Sequence, residues 1–65
     1  LSSEFALTPR EIDVALILAK GRNKERAAEE LHLARETVKT HAANIYRKLA
    51  IHSQQELIDL VEGLL

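Results

Sequence analysis

Residues 23–49, NKERAAEELHLARETVKTHAANIYRKL, decide the fold of this 65-residue chain. Asn23 is a good N-cap for a short helix over about 24–31. The inner face of that helix is small and apolar: Ala27, Ala28 and Leu31. A break follows at residues 32–34, and a longer helix is predicted over about 35–50. A short helix, a break of three or four residues and a longer helix have the spacing of a helix-turn-helix, although many helical hairpins share it.

The longer helix has one aliphatic stripe, formed by Val38, Ala42, Ile45 and Leu49. The opposite side carries Glu36, Thr40, Ala43 and Arg47, with Lys39 and Asn44 on its borders. An apolar inner face and a basic, polar outer face suit a helix that docks into the major groove of DNA, where each base pair presents a distinct pattern of donors and acceptors.

Two further helices flank this unit. Thr8, Pro9 and Glu11 predict a capped helix over about 8–20. Ser53 and Glu56 form a second capping box and predict a helix over about 53–64. The sequence therefore predicts an all-α, four-helix domain over residues 7–65, preceded by the end of a linker at residues 1–6.

The two flanking helices differ in how their apolar residues are arranged. In the first, the predicted core face consists of Ile12, Ala15, Leu16 and Ala19, widened by Val14, Ile17 and Leu18. In the fourth, apolar residues cover most of the circumference: Leu57, Ile58, Leu60, Val61, Leu64 and Leu65. Two interpretations stay open for this fourth helix. Its wide stripe packs under the first and third helices, or part of it faces a partner.

Composition excludes several classes of function. The chain has no cysteine, and its three histidines lie nine and eleven residues apart, so we expect no disulfide, metal site or cofactor. The sequence shows no combination of a nucleophile, a base and an orienting group, and it has no glycine-rich phosphate loop. We therefore do not expect an enzyme. There is neither an apolar run near 18 residues nor a signal-peptide pattern, and we expect a cytoplasmic domain. Because the first residue is Leu rather than Met, we also expect this chain to be a piece of a longer protein, whose upstream region could be soluble or membrane-bound.

Charge is uneven along the chain, although the net charge is only −1. Residues 20–26 carry four basic side chains against Glu25, and residues 35–48 carry four against Glu36. The acidic residues lie mostly outside these two blocks. The blocks indicate a surface for nucleic acid, or else ordinary solvated helix faces.

Four strings of residues carry a family resemblance: LTPRE at 7–11, AEEL at 28–31, TVKTH at 37–41 and NIYRKL at 44–49. Together they resemble the LuxR/FixJ-type (GerE-like) DNA-binding domain, without a gap from Leu7 to Val61. The resemblance implies a four-helix domain at the C-terminus of a transcription regulator. It also implies dimeric binding to two DNA half-sites, with the fourth helix as the dimer surface and an upstream domain that supplies control.

The chain departs from the family pattern at four positions. Asn23 replaces the usual Ser or Thr and caps equally well. Ala27 replaces an Ile of the second helix, so we expect looser packing there. His32 replaces the glycine of the turn, so we expect a left-handed or strained backbone there. Ala34 replaces a capping serine and cannot cap the third helix.

The resemblance and the helical positions together predict the binding residues. Lys39 and Thr40 match the recognition positions, Lys being suited to guanine O6 and N7 and the Thr methyl to thymine. Contacts to base edges are predicted from Glu36, Lys39, Thr40 and Ala43. Contacts to phosphates are predicted from Arg22, Asn23, Lys24, Arg26, Arg35, Thr37, Asn44, Arg47 and Lys48. The dimer surface is predicted at Leu57, Leu60, Val61 and Leu64.

Alternatives to these assignments remain. For Glu36, acceptance from cytosine N4 competes with a simple effect on the helix dipole. For His41 and Tyr46, packing is the favoured role. The whole domain could instead be a helical protein-interaction module that uses its apolar fourth helix. We expect the isolated domain to be a monomer or weak dimer that pairs on double-stranded DNA.

Overall fold

The computed structural model describes residues 6–64 and contains four α-helices within that range. They are α1 (Pro9–Ala19), α2 (Lys24–Leu31), α3 (Arg35–Leu49) and α4 (Gln54–Leu64). The predicted all-α, four-helix fold is therefore confirmed, with every boundary within one residue. The predicted linker end at residues 1–6 lies outside the described residues except for Ala6, as does Leu65.

Both predicted N-terminal caps are present, although the second differs in detail. At α1 the Thr8 hydroxyl accepts from the Glu11 amide at 3.2 Å, and the Glu11 carboxylate accepts from the Thr8 amide at 2.9 Å. At α4 the Ser53 hydroxyl accepts from the Glu56 amide at 3.2 Å. The Glu56 carboxylate, however, accepts from the amide of His52, one residue earlier than a capping box requires.

The core lies around α1, which packs against each of the other three helices. Its largest fully buried side chains are Val14, Leu18, Val38, Ile45 and Leu57. Ile12 and Leu16 were predicted to face this core, but they are 44% and 52% exposed. That prediction was wrong because α1 packs between three neighbours and turns the side that carries Val14 and Leu18 inward. Ile12 and Leu16 therefore lie on the outer side of α1.

The burial of Leu57 also differs from the prediction. It was assigned to the exposed dimer surface of α4, yet it has no exposed area and belongs to the core. One turn later Val61 is half-buried against the same core, and Leu60 and Leu64 are 38% and 78% exposed. The wide stripe of α4 is thus divided between packing and exposure, and only its outer part is accessible.

The turn between α2 and α3 consists of three residues, and His32 adopts the left-handed conformation expected of it, with φ 57° and ψ 43°. The Leu33 amide then donates to the Ala28 carbonyl at 2.9 Å, which closes the end of α2. Ala50 ends α3 in the same way, with φ 58° and the next amide bonded to Tyr46. Ala34 forms no side-chain cap for α3, as predicted.

None of the four helices within residues 6–64 is both long enough and apolar enough to cross a membrane.

Candidate nucleic-acid interface

The inner side of α3 is buried in the core, and its outer side is exposed. Val38, Ala42 and Ile45 are at most 1% exposed and anchor α3 in the core. The helix contacts α1 and α2 along this stripe. With 15 residues, α3 is about 22 Å long at the usual rise per residue. A helix held in this way can enter a groove of DNA without losing its position in the fold.

All four predicted base-contacting residues lie exposed on the outer side of α3: Glu36, Lys39, Thr40 and Ala43. The Lys39 ammonium lies 3.7 Å from the Glu36 carboxylate, and these side chains are 61% and 86% exposed. Such an open ion pair is weak and leaves the ammonium available. The Thr40 hydroxyl donates to the Glu36 carbonyl at 3.0 Å, so its methyl group is better placed than its hydroxyl to contact a base.

One exposed ion pair joins the first turns of α2 and α3. Arg35, the first residue of α3, places its guanidinium 3.9 Å from the carboxylate of Glu25, the second residue of α2. Lys24 and Thr37 are exposed in the first turns of the same two helices. Helix N-termini carry partial positive charge and unpaired amides, which suit the binding of anions.

A shallow surface depression opens beside the start of α2. It is lined by Lys20, Gly21, Arg22, Asn23 and Arg26. The guanidiniums of Arg22 and Arg26 lie 3.8 and 2.8 Å from the Glu30 carboxylate, which orients them and offsets part of their charge. Lys20 was not among the predicted binding residues, because its place in the last turn of a helix already explained a cation there.

Lys48 corrects the predicted set of phosphate ligands. Its ammonium lies 2.7 Å from the Glu11 carboxylate and 3.2 Å from the Ala6 carbonyl, and its side chain is only 15% exposed. The hydrogen bond from Lys48 is the main reason that the pKa of Glu11 lies below its ordinary value, followed by the bond from the Thr8 amide. Lys48 therefore joins α3 to α1 instead of extending into solvent, and it is left out of the phosphate contacts proposed below. Sequence spacing could not reveal this pairing across 37 positions.

Other polar residues of α3 surround the outer face. The Arg47 guanidinium donates to the Asn44 side-chain oxygen at 3.2 Å near the C-terminal end of the helix. His41 is half-buried, and Tyr46 packs against the core, where burial raises the pKa of its phenol. Within residues 6–64 no three His, Asp or Glu side chains converge on a position that could hold a metal ion.

Comparison with known proteins identifies the family. Residues 6–61 match the family described as "Bacterial regulatory proteins, luxR family". The chain is 43% identical over 60 residues to the fimbriae Z protein of Salmonella typhimurium, covering 92% of this chain and 29% of that protein. It is 44% identical over 57 residues to the uncharacterized response regulatory protein YgeK of Escherichia coli, covering 88% and 39%.

A third relative is the HTH-type transcriptional regulator MalT of Vibrio campbellii, which is 42% identical over 59 residues, covering 91% of this chain and 6% of that protein. The chain thus spans well under half the length of these relatives. No solved structure matches it. The family match is to regulators rather than enzymes, as expected from the sequence. With its four helices and its helix-turn-helix, this chain belongs to the luxR family of bacterial regulatory proteins.

Proposed function

We propose that this domain binds double-stranded DNA sequence-specifically, with α3 in the major groove, as part of a longer transcription regulator. The observation that carries the proposal is the two-sided character of α3. On the inner side of α3, Val38, Ala42 and Ile45 are buried. On its outer side, Lys39 and Thr40 are exposed. Such a helix presents base-reading side chains from a rigid support. With this function we expect the domain to act in the cytoplasm.

Phosphate contacts are proposed around the N-termini of α2 and α3. Lys24, Arg35 and Thr37 are the strongest of the predicted ligands, since each is exposed in the first turn of its helix. The remaining proposed ligands are Arg22, Asn23, Arg26, Asn44 and Arg47. Such contacts set the orientation of the domain on the duplex, whereas sequence is read by Glu36, Lys39, Thr40 and Ala43.

We also propose that two copies bind two half-sites and meet through the outer side of α4. Leu60 and Leu64 are exposed there, and Val61 lies beside them. The same apolar surface supports the second candidate function, a module that binds another protein through α4. The two candidates differ in whether the isolated domain binds duplex DNA.

The test is selection from a random duplex pool at physiological salt, using wild type, Lys39→Ala, Thr40→Ala and Lys24→Ala. We expect a two-fold symmetric consensus for wild type. Lys39→Ala should lose about 1–3 kcal/mol and relax specificity at one base pair of each half-site. Lys24→Ala should weaken binding to all sequences alike and reduce the salt slope by about one. Absence of any enrichment with wild type would favour the protein-interaction module.

A further inference from the structure

The connection between α1 and α2, residues 20–23, is held from outside by one side chain. The amide nitrogen of Gln54, the first residue of α4, donates to the Leu18 carbonyl at 2.9 Å and to the Arg22 carbonyl at 2.7 Å. A primary amide has two N–H donors, and here both are used. Within residues 6–64, Gln54 is the one side chain from outside α1 and α2 that hydrogen-bonds to this region.

These two bonds span the whole connection. Leu18 lies in the last turn of α1 and also accepts from the Gly21 amide at 3.0 Å. Arg22 directly precedes Asn23, whose side-chain oxygen caps α2 by accepting from the Arg26 amide at 2.8 Å. Between them Gly21 turns with φ 87°, a conformation that costs glycine little. Gln54 therefore ties both ends of this turn to the start of α4.

We propose that Gln54 is a positioning residue for DNA binding, because it holds the α1–α2 connection in the shape that seats a DNA phosphate. The seat is the basic depression lined by Lys20, Arg22 and Arg26 at the N-terminus of α2. The proposal rests on the proposed DNA-binding function and adds to it a residue that itself touches no DNA. It also makes α4 responsible for the geometry of a surface built by the first two helices.

The test compares Gln54→Met with Gln55→Met. Methionine is similar in shape to glutamine but has no N–H donor and no charge. Gln55 is the matched control, since it is the neighbouring residue of α4 and its amide bonds only within that helix, to Asp59 at 3.0 Å. Circular dichroism should confirm that both variants are fully folded under the conditions of the binding assay.

For Gln54→Met we expect about three- to tenfold weaker binding, the equivalent of one or two hydrogen bonds. The loss should be equal for the selected duplex and for a random duplex, because phosphate contacts carry no sequence information. The salt slope should fall by about one. In NMR spectra the backbone amides of residues 20–23 should shift while those of the outer face of α3 stay in place. Gln55→Met should bind like wild type and shift only α4 resonances.

Rescue provides an independent check. Gln54→Arg restores several donors toward the two carbonyls, while Gln55→Arg adds the same charge without them. We expect the first variant to bind more tightly than the second. Should Gln54→Met fail to fold, Gln54→Asn carries the same comparison, because its amide is one methylene shorter and cannot reach both carbonyls.

Equal affinity and equal salt slope for folded Gln54→Met and Gln55→Met would overturn the proposal. If wild type binds DNA and Lys39→Ala relaxes one base position while Gln54→Met behaves as wild type, the positioning role alone fails. If wild type binds no duplex, the proposed function fails and this role fails with it.

Discussion

The ion pair between Glu11 and Lys48 joins the first turn of α1 to the last turn of α3. Glu11 accepts from Lys48 at 2.7 Å and from the Thr8 amide at 2.9 Å, and its side chain is 5% exposed. A carboxylate placed in this way is satisfied only while it is ionised. One residue thus caps α1 and fixes the proposed DNA-reading helix at its far end.

Stability should therefore depend on the ionisation of Glu11. Its pKa in the folded protein lies below 4.5, mainly because of the hydrogen bond from Lys48. Because the folded pKa is lowered, the interactions of the ionised carboxylate stabilise the folded protein fully above pH 4.5. This stabilisation is lost as the pH falls below 4.5 and through the folded pKa. We expect Glu11→Gln to be less stable than wild type at pH 7 and to lose less stability on acidification. Urea unfolding from pH 7 to pH 3 measures both effects.

The exposed Glu29→Gln serves as the control for the change of charge and should lie close to wild type at pH 7. Lys48→Met should lower the free energy of unfolding by about 1–3 kcal/mol, since it leaves Glu11 buried without its partner. Parallel pH curves for wild type and Glu11→Gln would show that the ion pair contributes nothing to acid sensitivity.

Ala50 and Ala43 allow the same substitution to be tested with opposite expected signs. Ala50 has φ 58°, where a Cβ atom is strained, so Ala50→Gly should raise the free energy of unfolding by about 1 kcal/mol. Ala43 lies exposed inside α3, so Ala43→Gly should lower it by about 1 kcal/mol. Thermal or urea unfolding decides the result, and a loss of stability in both variants would argue against strain at Ala50.

At the scale of the elements, α3 is well supported in its middle and poorly capped at its start. Its stripe is buried, and Glu36 in the first turn and Arg47 in the last suit the helix dipole. Its N-cap position, however, is Ala34, whose side chain makes no hydrogen bond. The first turn of this helix carries proposed contacts to both phosphates and bases.

Ala34→Ser should supply the missing cap. Ala34 already has the extended backbone of an N-cap residue, with φ −69° and ψ 148°, so a serine hydroxyl can accept from an amide of the first turn. We expect a gain of about 1 kcal/mol in the free energy of unfolding and slower hydrogen exchange at the start of α3. Ala34→Val, which cannot cap, is the control and should give no such gain.

At the scale of the whole molecule, two exposed apolar regions stand out. Leu60 and Leu64 form one on α4, and Ile12 and Leu16 form the other on α1. Leu60 and Leu16 are both more than one-third exposed, which makes them a matched pair for substitution. Neither fills the centre of the core, so replacing either should leave the fold intact.

Leu60→Gln should therefore separate folding from pairing on DNA. We expect unchanged binding to a single half-site and reduced cooperativity on a duplex with two half-sites, measured by titration and by sedimentation with DNA. Leu16→Gln should keep both properties. A tight dimer of wild type without DNA at low micromolar concentration would contradict the expectation of pairing on DNA. Equal loss of cooperativity in both variants would move the interface toward α1.

The sequence by itself determined the elements of this protein. Four helices and the cap at Thr8 follow from neighbouring residues, whereas the left-handed turn at His32 and the uncapped start of α3 were predicted from departures from the family pattern. Such signals act within one or two turns of the chain, where backbone amides and nearby side chains decide the conformation. The family resemblance likewise depends on short strings of residues, and the exposure of the outer face of α3 follows from its period.

Tertiary structure alone decided which apolar and charged residues face a neighbour. Periodicity shows that a helix has an apolar side, but it does not show where that side ends once three helices pack on α1. Leu57 therefore proved to be core, and Ile12 and Leu16 proved to be exposed. The partners of Lys48 and Gln54 lie 37 and 36 positions away. Long polar side chains bond to whatever packing brings within reach, so these contacts exist only once the helices have assembled.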